Sequence, residues 1–260
     1  MILEQIAERT RLRVEELSAE IPLHEVKSQA LDMSADTGFP FERALRGEGV
    51  SFICEVKRAS PSKGVIAEDF PYLDIAKSYE RAGAAAISCL TEPYWFRGSN
   101  QYLKEIAREV SIPVLRKDFT VSEYMIYEAK ALGAAAVLLI CAILPPAQLK
   151  EYLELAHSLG LSALVEAHDE AEVRTAVESG ARIIGVNNRD LRTFEVDITN
   201  SARLRGLVPR DRVFVSESGI TAPQDVALLR ENGTDAVLIG ETLMRSADKK
   251  AALDALRGMT

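Results

Sequence analysis

The chain has 260 residues, 47% of them hydrophobic and 27% charged, and it carries a formal net charge of −8. This composition is ordinary for a soluble globular protein, and the negative balance argues against a general nucleic-acid or anionic-membrane surface. No apolar run approaches the roughly 18 residues of a membrane span, and the N-terminus lacks a signal-peptide core. Cys54, Cys89 and Cys141 fall in apolar runs. They predict buried free thiols in a reducing, cytoplasmic setting, not disulfides or a metal cluster.

Residues up to about position 47 differ in pattern from the rest of the chain. Apolar residues among charged neighbours predict an amphipathic helix, with Ile2, Ile6, Leu12 and Val14 on its apolar side. A second helix is predicted around Leu23 to Met33, and Phe39-Pro-Phe41 and Gly47-Glu-Gly49 punctuate the chain before the first strand. We therefore expect a single domain over residues 1–260, with a helical extension at 1–48 packed on a main body at 49–260.

From residue 50 the chain repeats one pattern, in which a charged helical segment ends in glycine and a short apolar run follows. The glycines of this pattern are Gly83, Gly133, Gly160, Gly180 and Gly233. Glycine supplies a left-handed helix cap, and a continuous apolar run is typical of a fully buried parallel strand. Runs near 51, 85, 113, 135, 162, 182, 212 and 236 give about eight strand-then-helix units, which predicts a (β/α)8 barrel. A doubly wound open sheet is the alternative, but no G-x-G-x-x-G follows the first strand.

Polar residues cluster at the carboxyl ends of the predicted strands. Because side chains alternate along a strand, the apolar residues that precede each polar residue at the same parity should face the barrel interior. This places one polar set at the mouth, where barrel enzymes carry their active sites: Glu55, Lys57, Lys117, Glu166, Asn187, Arg189 and Glu217. Lysines beside carboxylates can act as paired acids and bases, and the alternative is a structural salt-bridge ring that closes the barrel.

The sequence predicts that the ligand is bound through a phosphate group. Because the net charge is negative, any cations that bind an anionic substrate must be local. The last two strands run into Ser216-Glu-Ser-Gly-Ile220 and Leu238-Ile-Gly-Glu-Thr-Leu243, the usual phosphate-binding loops of this fold. Gly219 and Gly240 would let backbone N–H groups approach phosphate, and Ser218 would add a hydroxyl. The loop Ser60-Pro-Ser-Lys-Gly64 after the first strand offers further donors, although it lacks the P-loop frame.

Other chemistries have weaker support in the sequence. His24, His157 and His168 lack metal-ligand spacing, and neither Ser60 nor Ser62 has a recognisable histidine partner for nucleophilic catalysis. We therefore expect no metal and no cofactor. Phe96, Phe119 and Trp95 are candidates for an aromatic pocket, with plain packing as the alternative.

Six ordered motifs over residues 50–245 strongly resemble the indole-3-glycerol-phosphate synthase family. They are Glu55-Val-Lys-Arg-Ala-Ser-Pro-Ser-Lys-Gly64, Leu115-Arg-Lys-Asp-Phe119, Leu164-Val-Glu-Ala-His168, Gly185-Val-Asn-Asn-Arg-Asp-Leu191, Ser216-Glu-Ser-Gly-Ile220 and Ile239-Gly-Glu-Thr-Leu-Met244. The resemblance implies a barrel enzyme of tryptophan biosynthesis in its monofunctional form. The implied reaction is ring closure of 1-(2-carboxyphenylamino)-1-deoxyribulose 5-phosphate with loss of carbon dioxide and water.

The resemblance also implies a role for each site residue. Lys117 would be the general acid, Glu166 the general base, and Lys57, paired with Glu55, would bind the substrate carboxylate and assist dehydration. Asn187, Glu217 and Arg189 would orient the reacting groups. The remaining positions would bind substrate: Phe96 and Phe119 at the anthranilate ring, and Ser60, Ser218, Gly219 and Gly240 toward the phosphate. Leu238 and Glu241 are further substrate-binding positions.

Two rival functions stay open at this point. Phosphoribosylanthranilate isomerase would use the same barrel and phosphate end, but it is expected to use a cysteine–aspartate pair. A barrel that binds a phosphorylated ligand without catalysis would not need the lysine–glutamate set. We expect a monomer that acts on a phosphorylated small molecule, with no nucleic-acid or membrane partner, while a partner subunit of the pathway stays open.

Overall fold

The chain folds into a closed barrel of eight parallel strands with helices between them, in a computed structural model that describes residues 2–190 and 193–259. Met1, Leu191 at the end of one family motif, and Thr260 lie outside the described residues. The barrel strands are β1 (Ser51–Val56), β2 (Ala86–Leu90), β3 (Val114–Lys117), β4 (Ala136–Ile140), β5 (Ser162–Ala167), β6 (Ile183–Asn187), β7 (Val213–Glu217) and β8 (Ala236–Ile239). Each strand pairs with its neighbour in sequence, and β8 closes on β1. The prediction of a (β/α)8 barrel is confirmed, and the open sheet is excluded.

The barrel strands are continuous apolar runs because both of their faces are buried. Inward residues such as Ile53, Leu115 and Leu164 fill one apolar cluster inside the barrel, and outward residues pack under the helices in a second cluster. The five glycines predicted to end helices all have positive φ, between 71° and 88°, so this prediction is confirmed.

The helices are α1 (Ile2–Glu20), α2 (Leu23–Leu31), α3 (Pro40–Leu45), α4 (Tyr72–Arg81), α5 (Asn100–Glu109), α6 (Glu123–Ala131), α7 (Pro146–Ser158), α8 (Glu170–Glu178), α9 (Thr199–Leu204), α10 (Pro223–Glu231), α11 (Glu241–Arg245) and α12 (Lys249–Arg257). Short 3₁₀ turns lie at Cys141–Ile143 and Arg205–Leu207, and a two-stranded hairpin joins Ala59–Ser60 to Gly64–Val65. No helix in the described part of the chain is long and apolar enough to cross a membrane.

Helix α1 buries a different face from the one predicted. Ile6 and Val14 are buried as expected, but Leu12 is 44% exposed, while Thr10 and Arg13 are buried instead. Residues 6, 10, 13 and 14 follow the spacing of one helical face, and position 12 points away from that face. Helix α2 ends at Leu31, so the prediction that it continues to Met33 is wrong.

Helix α3 closes the amino-terminal end of the barrel. The sequence around Phe39-Pro-Phe41 predicts only punctuation, yet Pro40 starts a short helix whose Phe41 and Leu45 are fully buried against the inward residues of the strands. The Ser51 hydroxyl at the start of β1 donates to the Ala44 carbonyl at 3.3 Å, which fixes α3 at this end. The opposite end of the barrel is left to the loops that follow the strands.

The cysteines divide into two environments. Cys54 and Cys89 are fully buried on strands, whereas Cys141 lies partly buried in the 3₁₀ turn after β4, so the prediction of a buried thiol is wrong for Cys141. Burial still raises the pKa of the Cys54 and Cys141 thiols to about 12.

Candidate active site

The carboxyl ends of the strands surround a cavity of about 700 Å³. Every residue predicted for the site lines this cavity: Glu55, Lys57, Ser60, Phe96, Lys117, Phe119, Glu166, Asn187, Arg189, Glu217, Ser218, Gly219, Leu238, Gly240 and Glu241. Ile2, Leu3 and Ile6 of α1 also reach the lining, so the N-terminal helix forms part of the cavity wall.

Lys117 lies at the end of β3 between two carboxyl groups. Its Nζ is 3.3 Å from Oε2 of Glu166 and 3.5 Å from Oε2 of Glu217. Burial alone would lower the pKa of Lys117, but its acidic surroundings, the charge of Glu166 above all, outweigh burial and raise it above its ordinary value. The ammonium is therefore charged at neutral pH and is a proton donor placed in the middle of the mouth.

Glu166 at the end of β5 accepts two side-chain hydrogen bonds and makes one further ion-pair contact, with His168. Oε2 accepts from Lys117, Oε1 accepts from the Asn187 side-chain amide at 3.2 Å, and Nε2 of His168 lies 3.3 Å from Oε1. Burial would raise the pKa of Glu166, but Lys117, His168 and Asn187 together lower it well below its ordinary value. Glu166 is thus the ionised partner of Lys117 and can accept a proton.

Glu217 at the end of β7 behaves in the opposite way. Burial and the negative charges of Glu166 and Glu55 raise the pKa of Glu217 to about 8, against the opposing attraction of Lys117. At neutral pH, Lys117 therefore contacts a largely protonated carboxyl group at Glu217. Gly185 makes room for this side chain, because a Cβ on Gly185 would clash with Oε1 of Glu217.

Glu55 and Lys57 share one face of the end of β1, as the strand alternation predicts, and their side chains form a hydrogen-bonded ion pair. A Cβ on Gly240 would clash with Oε1 of Glu55 and approach Nζ of Lys57 within 2.8 Å. The absence of a side chain at Gly240 is therefore required by this ion pair.

Two phenylalanines form an aromatic wall. The ring centroids of Phe96 and Phe119 are 6.0 Å apart with the planes at 40°. Trp95 lies outside the cavity lining and packs edge-on against Tyr94, so its candidacy for the pocket is not supported. The fully buried Glu92 accepts hydrogen bonds from the backbone N–H groups of residues 94–96, which fixes the loop that carries Phe96.

The loop after β7 has two consecutive residues in the left-handed region. Ser218 and Gly219 both have positive φ, 70° and 80°, and a Cβ on Gly219 would clash with Val196. The Asn188 side-chain amide donates to the carbonyl of Ser218 at 3.0 Å and supports this turn.

Charged side chains complete the cavity near this loop. At the start of α11, the Glu241 carboxylate lies 3.0 Å from Nε of Arg245 and 3.7 Å from Nζ of Lys63. Arg189 donates from its guanidinium to the Phe194 carbonyl at 3.0 Å, and its backbone N–H donates to the Asn187 side chain.

Sequence reasoning missed several residues that support the mouth. Asp118, next to Lys117, is fully buried and accepts from Arg13 of α1 at 2.8 Å and from the Thr91 hydroxyl at 2.6 Å. His168 was considered only as a metal ligand, yet its ring lies between two glutamates. The available signals were an arginine on the buried face of α1 and a histidine two residues after Glu166 and four before Glu172.

None of the three cysteines lines the cavity, so the cysteine–aspartate pair expected of an isomerase has no counterpart among the described residues. A search of the same residues finds no group of three or more His, Cys, Asp or Glu side chains that could hold a metal ion.

Comparisons with known proteins agree on one family. A family model described as "Indole-3-glycerol phosphate synthase" matches residues 3–256. The chain is 61% identical to the indole-3-glycerol phosphate synthase of Ruminiclostridium cellulolyticum over 258 residues, which cover 99% of each chain. It is 53% identical to the synthase of Endomicrobium trichonymphae over 257 residues, which cover 99% of this chain and 100% of that one.

Solved structures share the fold at low sequence identity. The 3-hexulose-6-phosphate synthase of Salmonella typhimurium has a TM-score of 0.65 at 16% identity, with 81% of this chain and 98% of that one covered. A mutant tryptophan synthase alpha-subunit from Pyrococcus furiosus has a TM-score of 0.61 at 20% identity, with 80% and 98% covered.

Proposed function

Because the family model and the relatives span nearly the whole sequence, the chain belongs to the indole-3-glycerol phosphate synthase family, and we propose which of its residues carry the reaction. The protein is a carboxy-lyase of tryptophan biosynthesis that acts on a phosphorylated small molecule. It closes the ring of 1-(2-carboxyphenylamino)-1-deoxyribulose 5-phosphate to give indole-3-glycerol phosphate, carbon dioxide and water.

The observation that carries the assignment of roles is the placement of the Lys117 ammonium 3.3 Å from Glu166 and 3.5 Å from Glu217, at the carboxyl ends of three strands. During closure, the ring carbon that bears the carboxylate attacks the ribulose carbonyl, and Lys117 donates a proton to the carbonyl oxygen as it becomes a hydroxyl. The bond to the carboxylate then breaks, and its electrons restore the aromatic ring as carbon dioxide leaves. This step releases no proton from carbon and needs no base.

Dehydration is the step that needs a base. The new hydroxyl leaves as water with a proton from Lys57, and Glu166 takes a hydrogen from the neighbouring carbon to form the indole double bond. The ion pair of Lys57 with Glu55 supports Lys57 as an acid that also holds the substrate carboxylate before it is lost. Asn187, Glu217 and Arg189 would orient these groups.

Substrate binding is assigned to the two ends of the cavity. Phe96 and Phe119 would hold the anthranilate ring between them and the charged centre. Ser60, Ser218, Gly219, Leu238, Gly240 and Glu241 would form the phosphate side. The positive φ of Ser218 and Gly219 supports this end, because such turns aim backbone N–H groups at anions.

Lys117→Ala should lower kcat by about 10²–10⁴-fold with KM close to that of the wild type, because the variant lacks the proton donor and keeps both binding ends. The measurement is indole fluorescence with purified protein and no added metal or cofactor. Phe119→Leu is the matched control, since it should act mainly on KM. Near-normal turnover by Lys117→Ala would overturn the acid assignment.

We extend the proposal to the whole protein as follows. Residues 1–260 form one domain with an extension at 1–48, and the protein acts as a cytoplasmic monomer without a nucleic-acid partner. The net charge of −8 supports the last point.

A further inference from the structure

His168 lies directly behind the proposed base, at the end of β5, and contacts a carboxylate with each ring nitrogen. Nε2 lies 3.3 Å from Oε1 of Glu166, and Nδ1 lies 3.0 Å from Oε2 of Glu172 on α8. The backbone also holds the residue, because its N–H donates to Glu172 at 2.8 Å and its carbonyl accepts from Asn200 at 3.0 Å. The ring is thus fixed between two negative groups.

A second cavity, of about 600 Å³, opens on the other side of the ring. His168 and Glu172 line it, and it shares Asn187 and Arg189 with the main cavity. The imidazole therefore separates the proposed base from a polar space that does not include Lys117 or the phosphate loops. This position is suited to a group that acts on Glu166 without touching the substrate.

Charged and titratable groups face His168 from each element packed around it. Glu166 is on β5, and Glu172 and Asp169 are at the start of α8. Lys117 on β3, Glu217 on β7 and Cys141 in the turn after β4 are the groups on the neighbouring strands. The second cavity adds further charged residues to its lining: Arg189, Asp190, Glu195, Asp197 and Arg203. The two carboxylates in contact with the ring, Glu166 and Glu172, favour its protonated form.

We propose that His168, as an imidazolium held between Glu166 and Glu172, is a positioning residue that fixes and keeps ionised the carboxylate that serves as the base. This inference rests on the proposed role of Glu166. With Asn187 and His168 both at Oε1, Oε2 is left to face Lys117 and the substrate. Glu172 supplies the countercharge that keeps the ring protonated.

The electrostatics agree with this geometry. Burial would lower the pKa of His168, but its contacts with Glu166 and Glu172 raise it to about 10. The imidazolium is then present over the whole neutral range and is lost only as the pH rises toward about 10. Activity that depends on it should fall on the basic side of the pH profile.

Glu172 also has a purely structural use, which the test must separate from the proposed one. It occupies the third position of α8, where its backbone N–H donates to the capping carboxylate of Asp169 and its own carboxylate accepts from the backbone N–H of His168. Asp169→Ala loosens the same helix end and leaves both ring contacts of His168 in place, so it serves as the control.

The experiment measures kcat against pH for the wild type, His168→Gln, Glu172→Gln, the double variant and Asp169→Ala, with circular dichroism at each pH. His168→Gln should lower kcat about ten- to hundredfold with little change in KM, because a charge-assisted contact to the base is lost. In Glu172→Gln, the fall of kcat on the basic side of the pH profile should move to lower pH. The double variant should show no such shift relative to His168→Gln. Asp169→Ala should leave this fall in place.

The role of His168 would be overturned if Glu172→Gln left the basic fall of kcat at the wild-type pH. It would also be overturned if Glu172→Gln moved that fall equally in the wild type and in the His168→Gln variant. Glu166→Gln, assayed beside these variants, separates this failure from that of the underlying assignment. If Glu166→Gln retains turnover, Glu166 is not the base and the role of His168 falls with it. If Glu166→Gln is inactive while the His168 variants behave as the wild type, only the inference about His168 fails.

Discussion

Two carboxyl groups at the barrel mouth contact Lys117, and they differ in protonation. Glu166 lies beside Lys117, His168 and Asn187 and stays ionised, whereas Glu217 has a pKa of about 8 because burial and its acidic neighbours disfavour a second negative charge. In a buried site with one ionised and one protonated glutamate, only the ionised group is ready to act as a base. The protonated group can still form hydrogen bonds. The difference arises from environment alone, since both side chains are glutamates.

Glu217→Gln should therefore keep kcat within about tenfold of the wild type at pH 7, because the amide imitates the protonated carboxyl. Glu166→Gln should lose about 10²–10⁴-fold under the same conditions. As the pH rises through about 8, Glu217 ionises in the wild type and cannot do so in the variant, so the ratio of their rates should change there. Paired pH profiles of kcat measure this. Equal losses in the two variants at pH 7 would refute the division of roles.

At the residue scale, the strand alternation predicted which charged groups share the cavity. Glu55, Lys117, Glu166 and Glu217 all follow inward apolar residues, so parity and position were enough to bring them to one cavity. Asp118 could not be identified in this way, because its partner Arg13 is distant in sequence and no local pattern carries that information. Both partners of His168 are close in sequence, but their spacing alone does not show that the ring contacts two carboxylates.

Helix α1 is joined to the catalytic strand β3 by a buried ion pair. Nη2 of Arg13 lies 2.8 Å from Oδ1 of Asp118, with the two side chains 11% and 0% exposed. Burial would raise the pKa of Asp118, but Arg13 and Arg116 lower it below its ordinary value of 3.8. The stabilisation that this shift represents is complete above pH 3.8 and is lost as the pH falls below that value.

Arg13→Ala should lower the free energy of unfolding at pH 7 by about 3 kcal/mol, because it leaves the Asp118 charge buried without its nearest cation. Urea denaturation measures the loss. Arg11→Ala is the control, since its pair with Glu8 is 47% and 66% exposed and should contribute less than about 1 kcal/mol. A difference between the variants that persists unchanged well below pH 3.8 would contradict the ion pair as its cause.

The barrel strands were predictable from their apolar runs, and helix α3 was not. The eight strands and their helix-ending glycines follow from apolar runs and left-handed caps. Helix α3 has only six residues and begins at a proline, so it shows too little periodicity to be recognised. Its burial depends on the open amino-terminal end of the barrel, which exists only once all eight strands have closed.

The molecule as a whole combines a closed barrel with a net charge of −8, and lysines, arginines and carboxylates together line the cavity at its mouth. The proposed monomer predicts one species near 28.5 kDa in sedimentation velocity, without dependence on protein concentration. A heavier species that persists on dilution, with kcat falling as it dissociates, would show that a second subunit is required.

The division of labour between Lys117 and Glu166 is tested most directly by single-turnover kinetics that follow carbon dioxide release and indole formation separately. Lys117→Ala should slow both signals by the same factor, because closure precedes both. Glu166→Gln should release carbon dioxide at nearly the wild-type rate and form indole about 10²–10⁴-fold more slowly, because only dehydration needs the base. Equal slowing of both signals in Glu166→Gln, or normal carbon dioxide release by Lys117→Ala, would contradict this order of proton transfers.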